Sequence, residues 1–248
     1  MKHFLRPTLT AVALAVALGM TASVSAQTAG KVDKTKASYV VGWEIASQIP
    51  PIMRDELDPT AVANAVKASL SGQKPTMSEA EAKTVHDAFM AKIQSKYKTE
   101  MTKLGAKNKT EGDAFLAKNK SKAGVKTTAS GLQYQVITQG KGARPGPNDT
   151  AEINYTGSFI DGQEFDASAK HPGGGAAKVP LANVIPGFRE GLQLMQVGGH
   201  YKFFIPSSLA YGAEPQTPRM PPNATLIFDV TLVSTGPTPA GAAAPEGK

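Results

Sequence analysis

Apolar residues keep two kinds of spacing along this chain, and the change falls near residue 127. Before it, they recur every three or four positions among charged residues, the mark of helices. Asp33 can cap a helix through SYVVGWEIASQI, which Pro50-Pro51 stops. Asp58-Pro59 sets a capping side chain before a proline at the first helical position, and AVANAVKASL then runs to Gly72. Thr76-Met77-Ser78-Glu79 reads as a capping box for a third, longer helix toward Leu104. The lysine-rich stretch 105–126, with an apolar patch at Phe115-Leu116, continues that helix and then becomes a linker ending near Gly124. In the long helix Val85, Phe89, Ile93, Tyr97 and Met101 stand four apart. Four residues overshoot a turn by about 40°, so the row winds around the helix and makes no fixed face. Such a helix is partly exposed and touches different partners along its length.

From residue 127 the alternation is that of strands. LQYQVIT (132–138), AEINYTGSFI (151–160), HYKFFI (200–205) and TLIFDVTLV (225–233) are the predicted strands. Turn residues cluster between them at 140–147, 173–175, 198–199 and 218–222. NYTGSFIDGQEFDAS (154–168) is a hairpin with Asp161-Gly162 at its tip and a return strand ending in Phe165-Asp166. A short helix fits PGFREGLQLM, from Pro186. The pattern predicts an α+β module, an antiparallel sheet wrapped on one helix. The residues after Gly236, PTPAGAAAPEGK, are low in complexity and expected to be disordered.

Composition narrows the chemistry. There are no cysteines, which removes disulfides, thiol nucleophiles and thiolate zinc sites. The four histidines are His3, His86, His171 and His200. His171 lies in a Gly/Pro loop and His200 opens a strand, and both read as surface or turn histidines. No hydrolase elbow, zincin helix, phosphate-binding loop or dinucleotide fingerprint is present. No metal and no cofactor are expected. Lys2, His3 and Arg6, the apolar run from Leu9 to Met20, and Val24-Ser25-Ala26 make a removable signal peptide over residues 1–26. The expected mature chain begins at Gln27, with an uncleaved anchor as the minor alternative. Cleavage takes Lys2 and Arg6 from a formal charge of +7 and still leaves a basic chain. An exported protein without an aromatic-interleaved basic motif is not expected to bind nucleic acid.

The two short helices ahead of the long one cannot build a substantial core. Below roughly 70–80 residues a domain needs staples or association, and no cysteine is available to staple this one. Association is favoured over a loose monomeric three-helix subdomain. The remaining candidate chemistry is aromatic: Tyr155, Phe165, Phe188, Tyr211 and Phe228 are spread over the strand-rich module. Any one of them is most simply core. Asp166, an acid directly after a phenylalanine at a strand end, has no catalytic partner beside it in sequence.

Four segments, NYTGSFIDGQEFDAS, VIPGFREGLQLMQVGG, IPSSLAYG and PPNATLIFDV, occur in that order with compatible spacing. Together they resemble the FK506-binding-protein (FKBP) type of peptidyl-prolyl cis–trans isomerase, over about residues 127–234. The helical region before them is similar to that of macrophage infectivity potentiator-like and FkpA-like isomerases. The resemblance implies a five-stranded half-barrel wrapped on a short helix, preceded by an all-α dimerisation domain with a long linking helix. The implied division is a dimerisation domain at 27–75, a linking helix at 76–121, an isomerase domain at 122–236 and a tail at 237–248. It further implies an exported Gram-negative homodimer, in the periplasm or on the outer cell surface, paired through residues 27–121. The substrates would be proline-containing unfolded or folding polypeptides, with FK506/rapamycin-type macrolides as further ligands.

Carried over position by position, the motifs imply Asp166 and Tyr211 as catalytic residues. They imply Tyr155, Phe165, Val184, Ile185, Phe188, Met220 and Phe228 as the substrate pocket, with Phe188 its floor. The sequence departs from the family at four places. Phe188 replaces the usual tryptophan, Val179 stands where a phenylalanine is usual, Gln216 replaces a histidine common in eukaryotic members, and Met220 replaces a branched aliphatic. These bear on pocket shape and macrolide affinity. Twisting an amide breaks no covalent bond and transfers no proton, which accounts for the missing catalytic equipment. The alternative is a chaperone (holdase) in which isomerisation is incidental. A surface adhesin is a third reading, suggested by the infectivity-factor resemblance alone.

Overall fold

The structure is a computed structural model and describes residues 32–214 and 220–238. The expected signal peptide, Gln216 and the tail beyond Thr238 lie outside the described residues. The chain divides into two compact units, one ending at Asp55 and one beginning at Glu56.

The first unit carries α1 (Lys34–Ser47) and a single-turn helix α2 (Pro51–Arg54). Asp33 caps α1 as its sequence predicts, accepting from the N–H groups of Thr35 (2.8 Å) and Lys36 (3.1 Å). Pro50-Pro51 ends α1 but also opens α2, because proline at the first helical position loses a hydrogen bond the helix does not need. Arg54 ties the two together by donating to the carbonyls of Ile49 and Ser47 at 2.6 and 2.7 Å. No residue of α1 is buried: Tyr39, Val40, Val41, Trp43 and Ile45 are all exposed.

The second unit opens with α3 (Pro59–Leu70), capped by Asp58 with Pro59 at its first position. The long helix α4 (Glu79–Asn119) follows. Its cap is Ser78, which accepts from the Glu81 N–H at 3.2 Å, rather than the expected Thr76. Ser78-Glu79-Ala80-Glu81 has the same Ser-x-x-Glu spacing, and it puts both carboxylates in the first turn, where the helix dipole favours them. Gly105 does not end the helix.

Beyond α4 come β1 (Val125–Thr127), β2 (Gln133–Thr138), β3 (Asp149–Phe159), β4 (Glu164–Ala167), β5 (Ala177–Pro180), α5 (Pro186–Leu194), β6 (His200–Ile205) and β7 (Leu226–Pro237). The sheet is antiparallel, with order β1-β2-β6-β7-β3-β4, and β5 also pairs with β3. That is seven strands where the resemblance implied five. Two extra strands, β1 and β5, are three- and four-residue edge pieces. Pro180 is tolerated at such an edge, where no ladder donor is needed. The eleven residues of β3 lie along β7 on one side. On its other side β5 covers the start and β4 the end. The hairpin turns where the Asp-Gly pair predicts, with Gly162 at φ +88°.

Inward positions alternate as the pleat requires. Ala151 and Ile153 on β3, Tyr201, Phe203 and Ile205 on β6, and Leu226, Phe228, Val230 and Leu232 on β7 form the core with Phe188 and Leu192 of α5. The outward Phe204 is buried as well, and the ring of Phe115 from α4 lies 6.0 Å from it. Asn119 donates to Gln133 Oε1 at 3.0 Å, and Gln133 donates to the Leu116 carbonyl at 2.9 Å. Further up α4, Asn108 donates to the Pro222 carbonyl (2.9 Å) and Asn223 to the Gly105 carbonyl (3.2 Å). Gly105 and Gly112 let the helix lie against the segment entering β7. A Cβ on Gly112 would overlap the Thr225 side chain, with Thr225 Cβ at 3.2 Å. The C-terminal half of α4 is therefore docked on the sheet. Its N-terminal half is largely exposed, with Ile93 buried there and Glu56 held by Lys92 (2.6 Å) and Lys96 (2.9 Å).

Gly112→Ala should lower the thermal midpoint. Overpacking against Thr225 costs about 1–3 kcal/mol, more than the roughly 1 kcal/mol that alanine gains in a helix. The double variant Gly112→Ala/Thr225→Ala should recover most of the loss in a thermal melt. Equal melting of Gly112→Ala and the parent would contradict this docking.

Candidate functional site

The concave face of the sheet is closed from one end by α5. Two glycines one turn apart bring this helix down onto β6. A Cβ on Gly187 would meet Ile205 Cγ2 at 2.5 Å, and one on Gly191 would meet the Phe203 ring at 2.9 Å. Phe188, between them, is therefore held deep, 5% exposed. Its ring lies 4.5 Å from that of Phe228 and edge-on to Phe203 at 6.2 Å.

Around this floor stand the other rings. Tyr155 meets Phe188 edge-on at 6.2 Å and Phe228 at 6.1 Å. Phe165 meets Phe228 edge-on at 5.6 Å and Phe159 at 4.9 Å. Such pairs contribute about 0.5–1.5 kcal/mol each beyond their buried area. Gly157 makes room for them: a Cβ there would lie 2.8 Å from the Phe165 ring and 3.0 Å from that of Phe228. Met220 is buried in the same core, and Val184 and Ile185 pack against it at the entry to α5.

The rim is polar and sharply defined. Tyr155 donates to Asp166 Oδ2 at 2.6 Å, and the Ala167 N–H donates to Oδ1 at 2.9 Å. His171 Nε2 lies 2.9 Å from Asp166 Oδ1 and 3.2 Å from the Tyr155 hydroxyl. Burial pushes the Asp166 carboxyl up, but the hydrogen bonds from Tyr155 and His171 outweigh it and hold the group below its ordinary value. Burial, then the neighbouring Asp166, push the Tyr155 phenol well up. The same two causes raise Tyr211. Both phenols are therefore donors at neutral pH, beside an ionised carboxylate.

Tyr211 is 40% exposed, and its hydroxyl makes no hydrogen bond among the described residues. Nor does the backbone N–H of Ile185. Arg189 pins the turn that presents Ile185: its guanidinium donates to the carbonyls of Leu181 (2.8 Å), Ala182 (3.0 Å) and Val184 (3.4 Å).

The structure thus gathers Tyr155, Phe165, Asp166, Phe188 and Phe228 into one constellation by direct contact. Val184, Ile185 and Met220 join through the core, and Tyr211 stands at the rim within the field of Asp166. Three neighbours were not singled out in sequence. His171 reads there as a turn histidine but lies on the carboxylate. Arg189 is given no role there, although it stands one turn past Ile185 and so can reach back over the turn. Phe203 is visible only as one of several inward strand residues.

The rings, with donors and an accepting carboxylate at their rim, make an apolar cluster with a polar edge. Comparison with known proteins gives the class of protein. Residues 34–136 match the family described as the domain amino terminal to FKBP-type peptidyl-prolyl isomerase, and residues 141–233 match FKBP-type peptidyl-prolyl cis-trans isomerase. The chain is 36% identical to the FKBP-type peptidyl-prolyl cis-trans isomerase FkpA of Aeromonas hydrophila, over 94% of this chain and 95% of that one. It is 36% identical to the outer membrane protein MIP of Legionella longbeachae, over 91% of this chain and 95% of that one. The crystal structure of FkpA from Escherichia coli superposes with a TM-score of 0.67 at 34% identity, covering 84% of this chain and 99% of that one. The chain belongs to the FKBP-type peptidyl-prolyl cis–trans isomerase family, and it is an enzyme of that class.

The polar rim has a measurable signature. Asp166 is held below 3.8 in the folded protein. Its contribution to stability is therefore complete above that value and is lost as pH falls through the lower folded one. In a carbon-13 NMR titration the Asp166 carboxyl of Tyr155→Phe should titrate higher than that of the parent, because one donor has gone. An unchanged midpoint would mean that the Tyr155 contact does not hold in solution.

Proposed function

We propose that this cleft accelerates the folding of exported proteins by stabilising the twisted state of a prolyl amide. The observation that carries the reading is the closed bowl of Tyr155, Phe165, Phe188 and Phe228 beside an ionised Asp166.

The barrier to rotation, about 18–20 kcal/mol, comes from amide resonance. Twisting localises the nitrogen lone pair and withdraws charge from the carbonyl oxygen. The planar amide is the more polar state, so a dry apolar pocket favours the twisted one. Tyr155, Phe165, Val184, Ile185, Phe188, Met220 and Phe228 hold the proline ring and exclude water. Tyr211 Oη and the Ile185 N–H, both unengaged within the described protein, donate to substrate carbonyls outside the twisting bond. Asp166 fixes Tyr155 and sets the electrostatics beside the amide. The smaller floor that Phe188 gives, with Val179 and Met220, makes a roomier pocket than one floored by tryptophan, and this bears on FK506/rapamycin-type ligands.

The reading extends to the whole chain. Residues 27–75 form a helical dimerisation domain, 76–121 the linking helix, 122–236 the isomerase domain and 237–248 a tail. The protein is a homodimer paired through residues 27–121. The bare apolar surface of α1, from Tyr39 to Ile45, supports this, because a helix that exposes this many large apolar side chains and buries none needs a cover. The chain is exported past a cleaved signal peptide to the periplasm or the outer cell surface of a Gram-negative bacterium. Relatives named FkpA and an outer membrane protein MIP support that location. A holdase role has a specific observation behind it too, since the same exposed residues of α1 could bind unfolded chains.

Asp166→Leu and Tyr211→Phe should each lower kcat/KM on a proline peptide roughly tenfold, the loss of about 1.4 kcal/mol of transition-state stabilisation, while both variants remain folded in a thermal melt. Full activity in both would sink the site assignment. A holdase assay separates the roles: anti-aggregation activity should survive both substitutions and fall when residues 27–78 are removed. That truncation keeps all of α4 and so leaves its docked half in place.

A further inference from the structure

His171 belongs to none of the family segments. It follows a single 3₁₀ turn, Ser168–Lys170, which its own N–H closes by donating to the Ser168 carbonyl at 3.2 Å. That turn folds the ring back onto Asp166, five residues earlier. Nε2 lies 2.9 Å from Asp166 Oδ1 and 3.2 Å from the Tyr155 hydroxyl, and the ring meets the Tyr155 ring edge-on at 6.2 Å.

The chemistry fixes the tautomer. An ionised carboxylate only accepts, so the proton must be on Nε2 and point at Oδ1. Nδ1 then carries the lone pair of the neutral ring. Protonation adds a second hydrogen at Nδ1 and leaves the Asp166 contact intact. The pair thus changes from a net negative charge to neutral without moving. The charged and titratable groups facing it are Asp166 from β4, Tyr155 from β3 and, through the field of Asp166, Tyr211 at the rim. The adjacent Lys170 is held by Glu164 at 2.6 Å.

We propose that His171 is a positioning and specificity-determining residue of the isomerase. It clamps the Asp166 carboxylate against Tyr155, and its charge state sets the charge the cleft edge shows to the residue preceding proline. This rests on Asp166 and Tyr155 forming the polar edge of the proline cleft. Imidazole is the side chain that changes charge between about pH 5 and 8. With the ring neutral the edge is anionic and favours a cationic residue before proline. With the ring protonated that preference fades. Side chains of His171 and Asp166 are 49% and 40% exposed, so solvent screens the effect to a factor of about three.

The test uses the full mature chain and two peptides that differ only in Lys or Glu before proline. Isomerisation of end-blocked peptides is followed by NMR exchange from pH about 5.5 to 8, which needs no coupling protease and leaves the peptide charges fixed. In the parent protein the Lys-to-Glu ratio of kcat/KM should rise about threefold with pH. In His171→Gln, which keeps a donor but cannot titrate, the ratio should be flat. A flat ratio in the parent, or the same rise in His171→Gln, overturns the proposal. A nitrogen-15 spectrum of the parent gives an independent reading: the neutral His171 ring should carry its proton on Nε2, and a proton on Nδ1 overturns the proposal. Failure of the cleft itself looks different, because Asp166→Leu would then keep full activity on both peptides.

Discussion

The site depends on how closely α5 approaches β6. Any side chain larger than hydrogen at Gly187 or Gly191 would strike Ile205 or Phe203. Because neither does, the first turn of the helix settles onto the strand and Phe188 is driven against Phe228. That contact makes the floor, and the floor decides where the other rings can stand. Tyr155 and Phe165 reach Phe228 from β3 and β4, and Gly157 is bare so that they can. Three missing side chains thus fix where four large rings stand. Close packing tolerates little error, so a wall of rings set this closely calls for this degree of constraint.

The polar rim follows from the same geometry. Phe165 points into the bowl, so Asp166, next along a pleated strand, points out of it. There it meets the hydroxyl of Tyr155, whose ring is already fixed by Phe188 and Phe228. A half-buried carboxylate would ordinarily be costly. Here three donors satisfy it: the Tyr155 hydroxyl, the Ala167 N–H and the His171 ring. The acid that looked partnerless in sequence accepts three hydrogen bonds in the structure. Its negative charge, after burial, raises the Tyr155 and Tyr211 phenols further.

Much of this was legible in the chain. Alternation gave β2 and β6 to within a residue and β3 to within two, because their inward positions face one core and their outward ones mostly do not. Strand β7 runs four residues past its predicted end, through Pro237, which was expected in a disordered tail. Asp58-Pro59 and Asp161-Gly162 each have one cheap backbone solution, and the structure adopts it. Family segments supplied most residues that meet in the bowl. What the sequence did not show is set by tertiary contact. The edge strands β1 and β5 are too short to carry a period. Ser78 and Thr76 offer equivalent capping patterns. His171 acquires its partner only through a 3₁₀ turn that no composition signal marks.

The long helix shows the same limit in another form. Its apolar row winds, and no single stripe announces a docking face. Docking runs instead through residues that look like poor helix formers: Gly105, Asn108, Gly112 and Asn119. Each gives up helix propensity for close approach or for a hydrogen bond to Pro222, Thr225 or Gln133. The segment that Gly105, Asn108 and Gly112 grip, 222–225, leads from Met220 into the strand that carries Phe228. Asn223, held at φ +54°, also takes the Gly212 carbonyl at 2.7 Å, next to Tyr211. The helix outside the sheet and the aromatic bowl inside it therefore share one loop. What reads as a linker is, over its last four turns, part of the frame that holds the cleft.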